Sequence, residues 1–226
     1  MSDQESRQRV GLADLGLGLM AIAAGSSDAL AYLKLGNVFT SAMTGNTVLL
    51  CIAVGQGRLG AALQSFTAFA AFVIGAVLAA ALSRRPASPP NLLPLFMLEI
   101  ACLSAFVALW LATGVGSEPA RYGLITLSAL AMGVQGVTAR NINVPQVNTI
   151  VFTTTILSVV AACTQAVLRA TGLPFDTKRQ IAVLLVYAAG AVLTALLVTL
   201  DYRIYVFIPL AAVIGALLSY QAARGR

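Results

Sequence analysis

The sequence predicts an all-α integral membrane protein, a polytopic helical bundle of two repeats, each with a broken strand-plus-half-helix segment. Three observations predict this fold class. Hydrophobic residues make up 59% of the chain and charged residues only 10%, with a mean hydropathy of +0.89, which exceeds what a soluble core of 226 residues requires. Apolar segments alternate with short polar connections along the whole chain. Two of these connections, one in each half, are similar polar breaks that contain several threonines.

The formal net charge of +6 comes from basic residues that stand singly or in pairs at the ends of apolar segments. This placement is typical of membrane topology signals and not of a phosphate-binding surface. We therefore expect the lipid bilayer as a partner, and no nucleic acid. Histidine is absent, and the sequence shows no cluster of bases, nucleophiles or metal ligands. It therefore predicts no catalytic residue, no metal site, no cofactor and no enzyme activity.

The first apolar segment, about residues 11–33, is long enough to span a hydrocarbon core of about 30 Å. The polar residues 1–10 before it form a predicted cytoplasmic tail. Asp28 lies inside the segment. A carboxylate there costs roughly 2.5–3.5 kcal/mol on insertion scales, so we expect its side chain to face protein or water. The other apolar segments of the first half cover residues 45–57, 61–82 and 92–112.

The second apolar segment follows a polar break, Val38 to Thr47. At about 1.5 Å per residue the segment is roughly 20 Å long, which is too short to cross a membrane alone. Within the break, Thr40 and Thr44 stand four positions apart. Gly45 frees the backbone, and Asn46 offers a side-chain oxygen where a helix begins. The break predicts an extended chain that runs into a helix N-terminus inside the membrane.

The second half repeats this pattern. Gly133 lies 108 positions after Gly25 in similar apolar surroundings. A second polar break spans Gln146 to Thr155, and its Thr149 and Thr153 lie 109 positions after the two threonines of the first break. One inserted residue explains the change in spacing. The apolar segments of the second half cover residues 121–139, 155–168, 180–200 and 204–220.

These patterns predict one membrane domain with two repeats, residues 11–117 and 118–222, and a short C-terminal tail, 223–226. The distribution of Lys and Arg places both termini in the cytoplasm, whether or not the broken segments cross the membrane. If they do not cross, each half crosses three times and the repeats are inverted; if they do cross, the repeats are parallel. We prefer inverted repeats, because two breaks can then share one polar cavity.

The chain resembles the YoaK-type family of uncharacterised bacterial membrane proteins over most of its length, and the specific motifs are mainly in the first 55 residues. The motifs that carry the resemblance are Gly25-Ser26-Ser27-Asp28-Ala29, Tyr32-Leu33, Gly36-Asn37-Val38-Phe39-Thr40 and Met43-Thr44-Gly45-Asn46-Thr47-Val48-Leu49-Leu50. The resemblance implies a multi-pass helical fold in the bacterial inner (plasma) membrane, and it implies no substrate. The second break departs from the family pattern, since Thr153-Thr154 stands where the family has Thr-Gly.

The two half-helix N-termini would present unpaired backbone N–H groups to a central cavity, which favours anions or carboxylate-bearing solutes. The sequence therefore predicts a membrane transporter or facilitator for a small polar solute or ion. The candidate substrate-binding residues are Asp28, Thr40, Thr44, Gly45, Asn46, Gln135, Asn148, Thr149, Thr153 and Thr154.

Other roles are open for several of these side chains. The threonines could bond their own helix backbone, and Asn46 could simply cap the half-helix. Asp28 could be locked to a neighbouring donor, such as Lys34 or a backbone N–H. For Glu99, about a third of the way into the fourth segment, snorkelling to the interface and a functional role are both open.

The alternative function is a non-transporting membrane interaction or lipid-binding protein. Gly75 with Ala79, and Gly190 with Thr194, have the small-xxx-small spacing that allows tight helix contact. Such faces would also allow a homodimer.

Overall fold

The computed structural model describes residues 3–83, 91–142, 152–170 and 172–224. Its helices are α1 (Asp3–Lys34), α2 (Met43–Gly55), α3 (Leu59–Ser83), α4 (Leu93–Thr113), α5 (Glu118–Asn141), α6 (Phe152–Leu168), α7 (Phe175–Thr199) and α8 (Ile208–Arg224), with a 3₁₀ turn at Arg203–Phe207 before α8. These residues contain no β-strand. The all-helical fold class is thus confirmed, whereas the strand expected before α2 is absent, because its backbone groups bond side chains instead of a partner strand.

Six helices within the described part of the chain are long and apolar enough to cross a membrane. They are α1 from Gly11 onward, α3, α4, α5, α7 and α8 with its preceding turn, while α2 and α6 are shorter. The protein is therefore a multi-pass membrane protein. Helix α1 begins at Asp3 and not near Gly11 as the apolar pattern suggested, because a membrane helix can continue into water beyond its apolar part.

Helices α1 and α5 form the centre of the bundle. In each of these two helices 67% of the residues in the most apolar stretch are buried inside the protein, compared with 28% in α3 and 11% in α7. α1 packs against α7 and α8, α5 packs against α3 and α4, and α1 also contacts α5. The outer helices present large apolar side chains outward, as expected for lipid contact.

α1 and α7 run in the same direction. Asp14 in the first half of α1 forms an ion pair with Arg179 near the start of α7, and further along both helices Ser26 Oγ lies 2.6 Å from Thr194 Oγ1. α3 and α5 are also parallel to each other, because contacts join their starts and their ends. The Tyr122 hydroxyl reaches the Gly60 carbonyl at 3.5 Å, and Asn141 Nδ2 donates to Ser83 Oγ at 3.0 Å.

Glycine lets both of these helix pairs approach backbone to backbone. A Cβ added at Gly25 of α1 would lie 2.1 Å from the carbonyl oxygen of Tyr187 in α7, and one added at Gly133 of α5 would lie 2.1 Å from that of Phe72 in α3. Neither backbone can yield as a flexible side chain would, so both crossings require glycine.

The small-residue faces predicted from sequence are used inside the protein. Gly75 and Ala79 are buried on α3 where it meets α5, and Gly190 and Thr194 are buried on α7 where it meets α1. These faces therefore support packing within one chain, and they leave no surface there for a homodimer.

Candidate functional site

Asp28 lies on α1, six residues before the helix ends at Lys34. Its side chain is 3% exposed and accepts hydrogen bonds at both oxygens. Oδ1 accepts from the backbone N–H groups of Thr40 and Ser41, each at 2.7 Å. Oδ2 accepts from Ser41 Oγ at 2.5 Å and from the Tyr187 hydroxyl of α7 at 2.7 Å. The carboxylate is therefore locked mainly by the break, and not by Lys34.

The chain turns back onto Asp28 directly after α1. Gly36 and Asn37 have positive φ values of 104° and 61°, a left-handed conformation that glycine and asparagine adopt most readily. Gly36 also lies against Gln64 of α3, where an added Cβ would come within 2.3 Å of the Gln64 side-chain oxygen. The end of α1 and the first part of α3 thus lie at the same end of the bundle.

Asn46, in the first turns of α2, holds the residue before Thr40. Its Oδ1 accepts from the Phe39 N–H at 2.8 Å, and its Nδ2 donates to the Phe39 carbonyl. It does not cap α2, because Ala42 occupies the N-cap position without a side-chain bond. The capping role considered for Asn46 is therefore wrong.

Three consecutive backbone N–H groups, those of Phe39, Thr40 and Ser41, are thus satisfied by side chains of α1 and α2. Buried backbone groups inside a membrane must find such partners, and an anionic acceptor makes the stronger bonds. We call Asp28, Thr40, Ser41, Asn46 and Tyr187 the Asp28 cluster.

The other predicted site residues lie elsewhere. Thr44 is exposed on α2, and a Cβ at Gly45 would meet the Phe39 ring at 2.9 Å, so this glycine makes room for packing. Gln135 donates to the Met20 carbonyl at 2.9 Å instead of joining the cluster.

In the second break, Thr153 and Thr154 are exposed at the start of α6. Asn148 and Thr149 lie outside the described residues. The structure therefore brings together Asp28, Thr40 and Asn46, but it does not place Thr153 or Thr154 beside them.

Two members of the cluster were missed from sequence. Ser41 follows Thr40 directly, so its position in the break was an available indication. Tyr187 is 159 positions from Asp28. The sequence contains one indication for Tyr187. Gly190-Ala191-Val192-Leu193 repeats Gly75-Ala76-Val77-Leu78, and this repeat aligns Tyr187 of the second half with Phe72 of the first half.

Tyr187→Phe is expected to lower the free energy of unfolding by about 1.5–3 kcal/mol, because it removes one hydrogen bond to a charged acceptor and keeps the ring. Thermal unfolding of the purified protein in detergent measures the change. Tyr202→Phe is the matched control, because Tyr202 is 61% exposed. Equal melting temperatures for the two variants would contradict the contribution of this bond.

Comparison with known proteins gives two matches. A family model described as "Protein of unknown function (DUF1275)" matches residues 16–220. The UPF0700 transmembrane protein YoaK of Bacillus subtilis (strain 168) is 29% identical over 219 residues, which cover 90% of this chain and 92% of that protein. No solved structure matches the chain.

Proposed function

The chain belongs to the DUF1275 family, and on that premise we propose that it is a membrane transporter or facilitator for a small polar solute that binds beside Asp28. One observation carries the proposal: a buried carboxylate lies within a membrane-length helix and receives donors from the break and from α7. Ionisable groups at such depth are costly, and they commonly mark solute or ion pathways.

Two repeats support this proposal, because many transporters are built from repeats with the solute site between them. The α1–α7 crossing and the α5–α3 crossing correspond residue by residue. Gly25 meets the Tyr187 carbonyl, and Gly133 meets the Phe72 carbonyl. Gly25 and Gly133 are 108 positions apart in the sequence, and Phe72 and Tyr187 are 115 positions apart.

The reciprocal contacts follow the same two shifts. Gly190 of α7 meets the Ile22 carbonyl of α1, and Gly75 of α3 meets the Leu130 carbonyl of α5. Leu130 lies 108 positions after Ile22, and Gly190 lies 115 positions after Gly75. If the two threonine pairs resembled each other only by chance, these four backbone contacts would not be related by the same two sequence shifts, 108 and 115 positions.

Three membrane-length helices in each half favour inverted repeats, since an odd number of crossings reverses the second half. The contact between Gly36 and Gln64 adds support, because the chain then leaves α1 and enters α3 at one end of the bundle, so α2 dips in and returns. Gly16 of α1 lies against Ser219 of α8. This contact agrees with both termini lying on one side of the membrane. We propose that this is the cytoplasmic side of a bacterial inner (plasma) membrane.

The Asp28 cluster suggests how a solute could bind. The Asp28 carboxylate accepts hydrogen bonds from the Thr40 and Ser41 N–H groups. These groups lie just before the N-terminus of α2, which is the positive end of the helix dipole. An anionic or carboxylate-bearing solute has the chemistry to replace the Asp28 carboxylate on these donors. The Tyr187–Asp28 bond joins the two halves, so relative movement of the halves would break it and expose the cluster.

A specific observation favours the second candidate, a non-transporting membrane interaction or lipid-binding protein. Asp28, Thr40, Ser41 and Asn46 are all at most 3% exposed, so these four members of the cluster are shielded from solvent, and the Thr40 and Ser41 N–H groups are already bonded. Labelling of Ser41→Cys with a membrane-impermeant maleimide separates the two functions. Reaction that changes on addition of solute supports transport, and complete lack of reaction favours the second candidate.

Uptake into reconstituted vesicles tests transport directly, with radiolabelled sulfate, succinate and glycine as probes. Wild type is expected to take up at least one probe faster than protein-free vesicles. Ser41→Ala and Tyr187→Phe should change that rate by about tenfold or more, since each removes a hydrogen bond to the carboxylate. Thr199→Val is the matched control, because Thr199 is outside the Asp28 cluster and its exposed hydroxyl donates to the Ala195 carbonyl of its own helix. Uptake no faster than in protein-free vesicles for every probe would overturn the proposal.

A further inference from the structure

A second carboxyl group is buried in the membrane domain. Glu99 of α4 is 0% exposed, and neither of its oxygens has a hydrogen-bond partner among the described residues. The apolar side chains of Leu95, Phe96 and Leu103 on the same helix are buried with it. A side chain in this position does not reach the interface, so the snorkelling role considered for Glu99 is wrong.

An ionised carboxylate in such surroundings would have neither donors nor a counter-charge, which costs several kcal/mol or more. On its own helix the nearest titratable group is the Cys102 thiol, one turn further on. The titratable and charged side chains of the elements packed against α4 are Glu118, Arg121, Tyr122 and Arg140 of α5, Tyr220 and Arg224 of α8, and Arg203 and Tyr205 of the 3₁₀ turn, whereas α3 has none. Within the described residues no ion pair joins any of these cations to Glu99. None of the described side chains supplies a counter-charge, so a bound proton is what remains to neutralise the carboxyl group in this part of the chain.

Glu99 is also separate from the Asp28 cluster. Lys34 at the end of α1 and Gly114 after α4 line one cavity, so these two helices end on the same side of the bundle. Asp28 is six residues before the end of α1, while Glu99 is six residues after the start of α4. The two carboxyl groups therefore lie toward opposite ends of the membrane domain.

We propose that Glu99 is a proton-binding site and that its proton is taken up and released during solute movement, so that the protein is a proton-coupled carrier. The coupling rests on the proposed transport function; the bound proton does not. In the cycle the ionised carboxylate exists only while Glu99 is open to water. An aqueous proton adds to it from water on one side to give the neutral carboxylic acid, and the same O–H bond breaks when Glu99 opens to water on the other side, where a water molecule accepts the proton.

Infrared spectroscopy of the full chain in lipid vesicles at neutral pH tests the bound proton. Wild type is expected to show the C=O stretching band of a protonated carboxylic acid, with a shift in D₂O, and Glu99→Gln should lose it. Glu118→Gln is the matched control: this residue at the start of α5 is exposed, so its replacement should leave the acid band unchanged. Identical acid bands in wild type and Glu99→Gln would overturn the proton site.

A pH-sensitive dye trapped in the vesicles tests coupling, with sulfate, succinate and glycine again as probes. Uptake of a probe by wild type should change the lumenal pH, and Glu99→Gln should lose that change. Uptake by wild type without a pH change overturns coupling and leaves transport standing. Failure of wild type to carry any probe overturns transport and coupling together, while the infrared band independently decides whether Glu99 holds a proton.

Discussion

Asp28→Asn is expected to destabilise the folded protein strongly, although the two side chains have nearly the same shape. The carboxylate accepts from the Thr40 and Ser41 N–H groups, the Ser41 hydroxyl and the Tyr187 hydroxyl. An amide offers one acceptor oxygen, and its NH₂ group would face donors. Each buried donor left without an acceptor costs about 1–3 kcal/mol, so we expect a large fall in melting temperature and poor recovery of folded protein.

Asp201→Asn is the control for this substitution. Asp201 is exposed after α7 with a φ of 56°, a conformation that asparagine tolerates, so this variant should melt close to wild type. Thermal unfolding in detergent compares the two. If Asp28→Asn melts at the same temperature as Asp201→Asn, the carboxylate does not hold the break in place.

This expectation also decides how transport experiments are designed. Loss of uptake in Asp28→Asn would not distinguish a missing solute contact from a misfolded break. Ser41→Ala and Tyr187→Phe each remove one donor and leave the carboxylate with the other donors. They are therefore the variants on which a change in uptake reports on the site itself.

The membrane fold was largely predictable from sequence. The apolar segments 61–82 and 92–112 became α3, Leu59–Ser83, and α4, Leu93–Thr113. The agreement is close because bilayer thickness sets the length of an apolar run and polar residues set its ends. The resemblance to YoaK-type proteins is confirmed by the match to the DUF1275 family and to YoaK itself.

The candidate site was predictable only in part. A carboxylate and a polar break inside apolar segments are visible in the sequence, and Asp28, Thr40 and Asn46 do meet. Sequence alone does not say which donors a buried acid will choose, so the bonds from Asp28 to its own break were one open alternative. Thr40 and Thr44 were both candidate site residues of the break, but Thr40 is buried in the loop and Thr44 is exposed on the helix, so only Thr40 belongs to the Asp28 cluster.

Substitution of the glycines at the two central crossings is expected to have a comparably large effect. In both Gly25→Ala and Gly133→Ala the new Cβ would lie 2.1 Å from a backbone carbonyl oxygen of the neighbouring helix. The helices must then move apart, and overpacking of this kind typically costs about 1–3 kcal/mol. Gly18→Ala is the matched control on α1, because an added Cβ there meets nothing within 4 Å.

Comparison of the three variants also tests the two-repeat architecture. If α1–α7 and α5–α3 are equivalent crossings, Gly25→Ala and Gly133→Ala should lower the melting temperature by similar amounts. Gly18→Ala should leave it unchanged or raise it, because alanine favours helix over glycine by roughly 1 kcal/mol. A large loss for Gly25→Ala with none for Gly133→Ala would show that the two crossings are not equivalent, and the solute path would then have to be sought within the α1–α7 half alone.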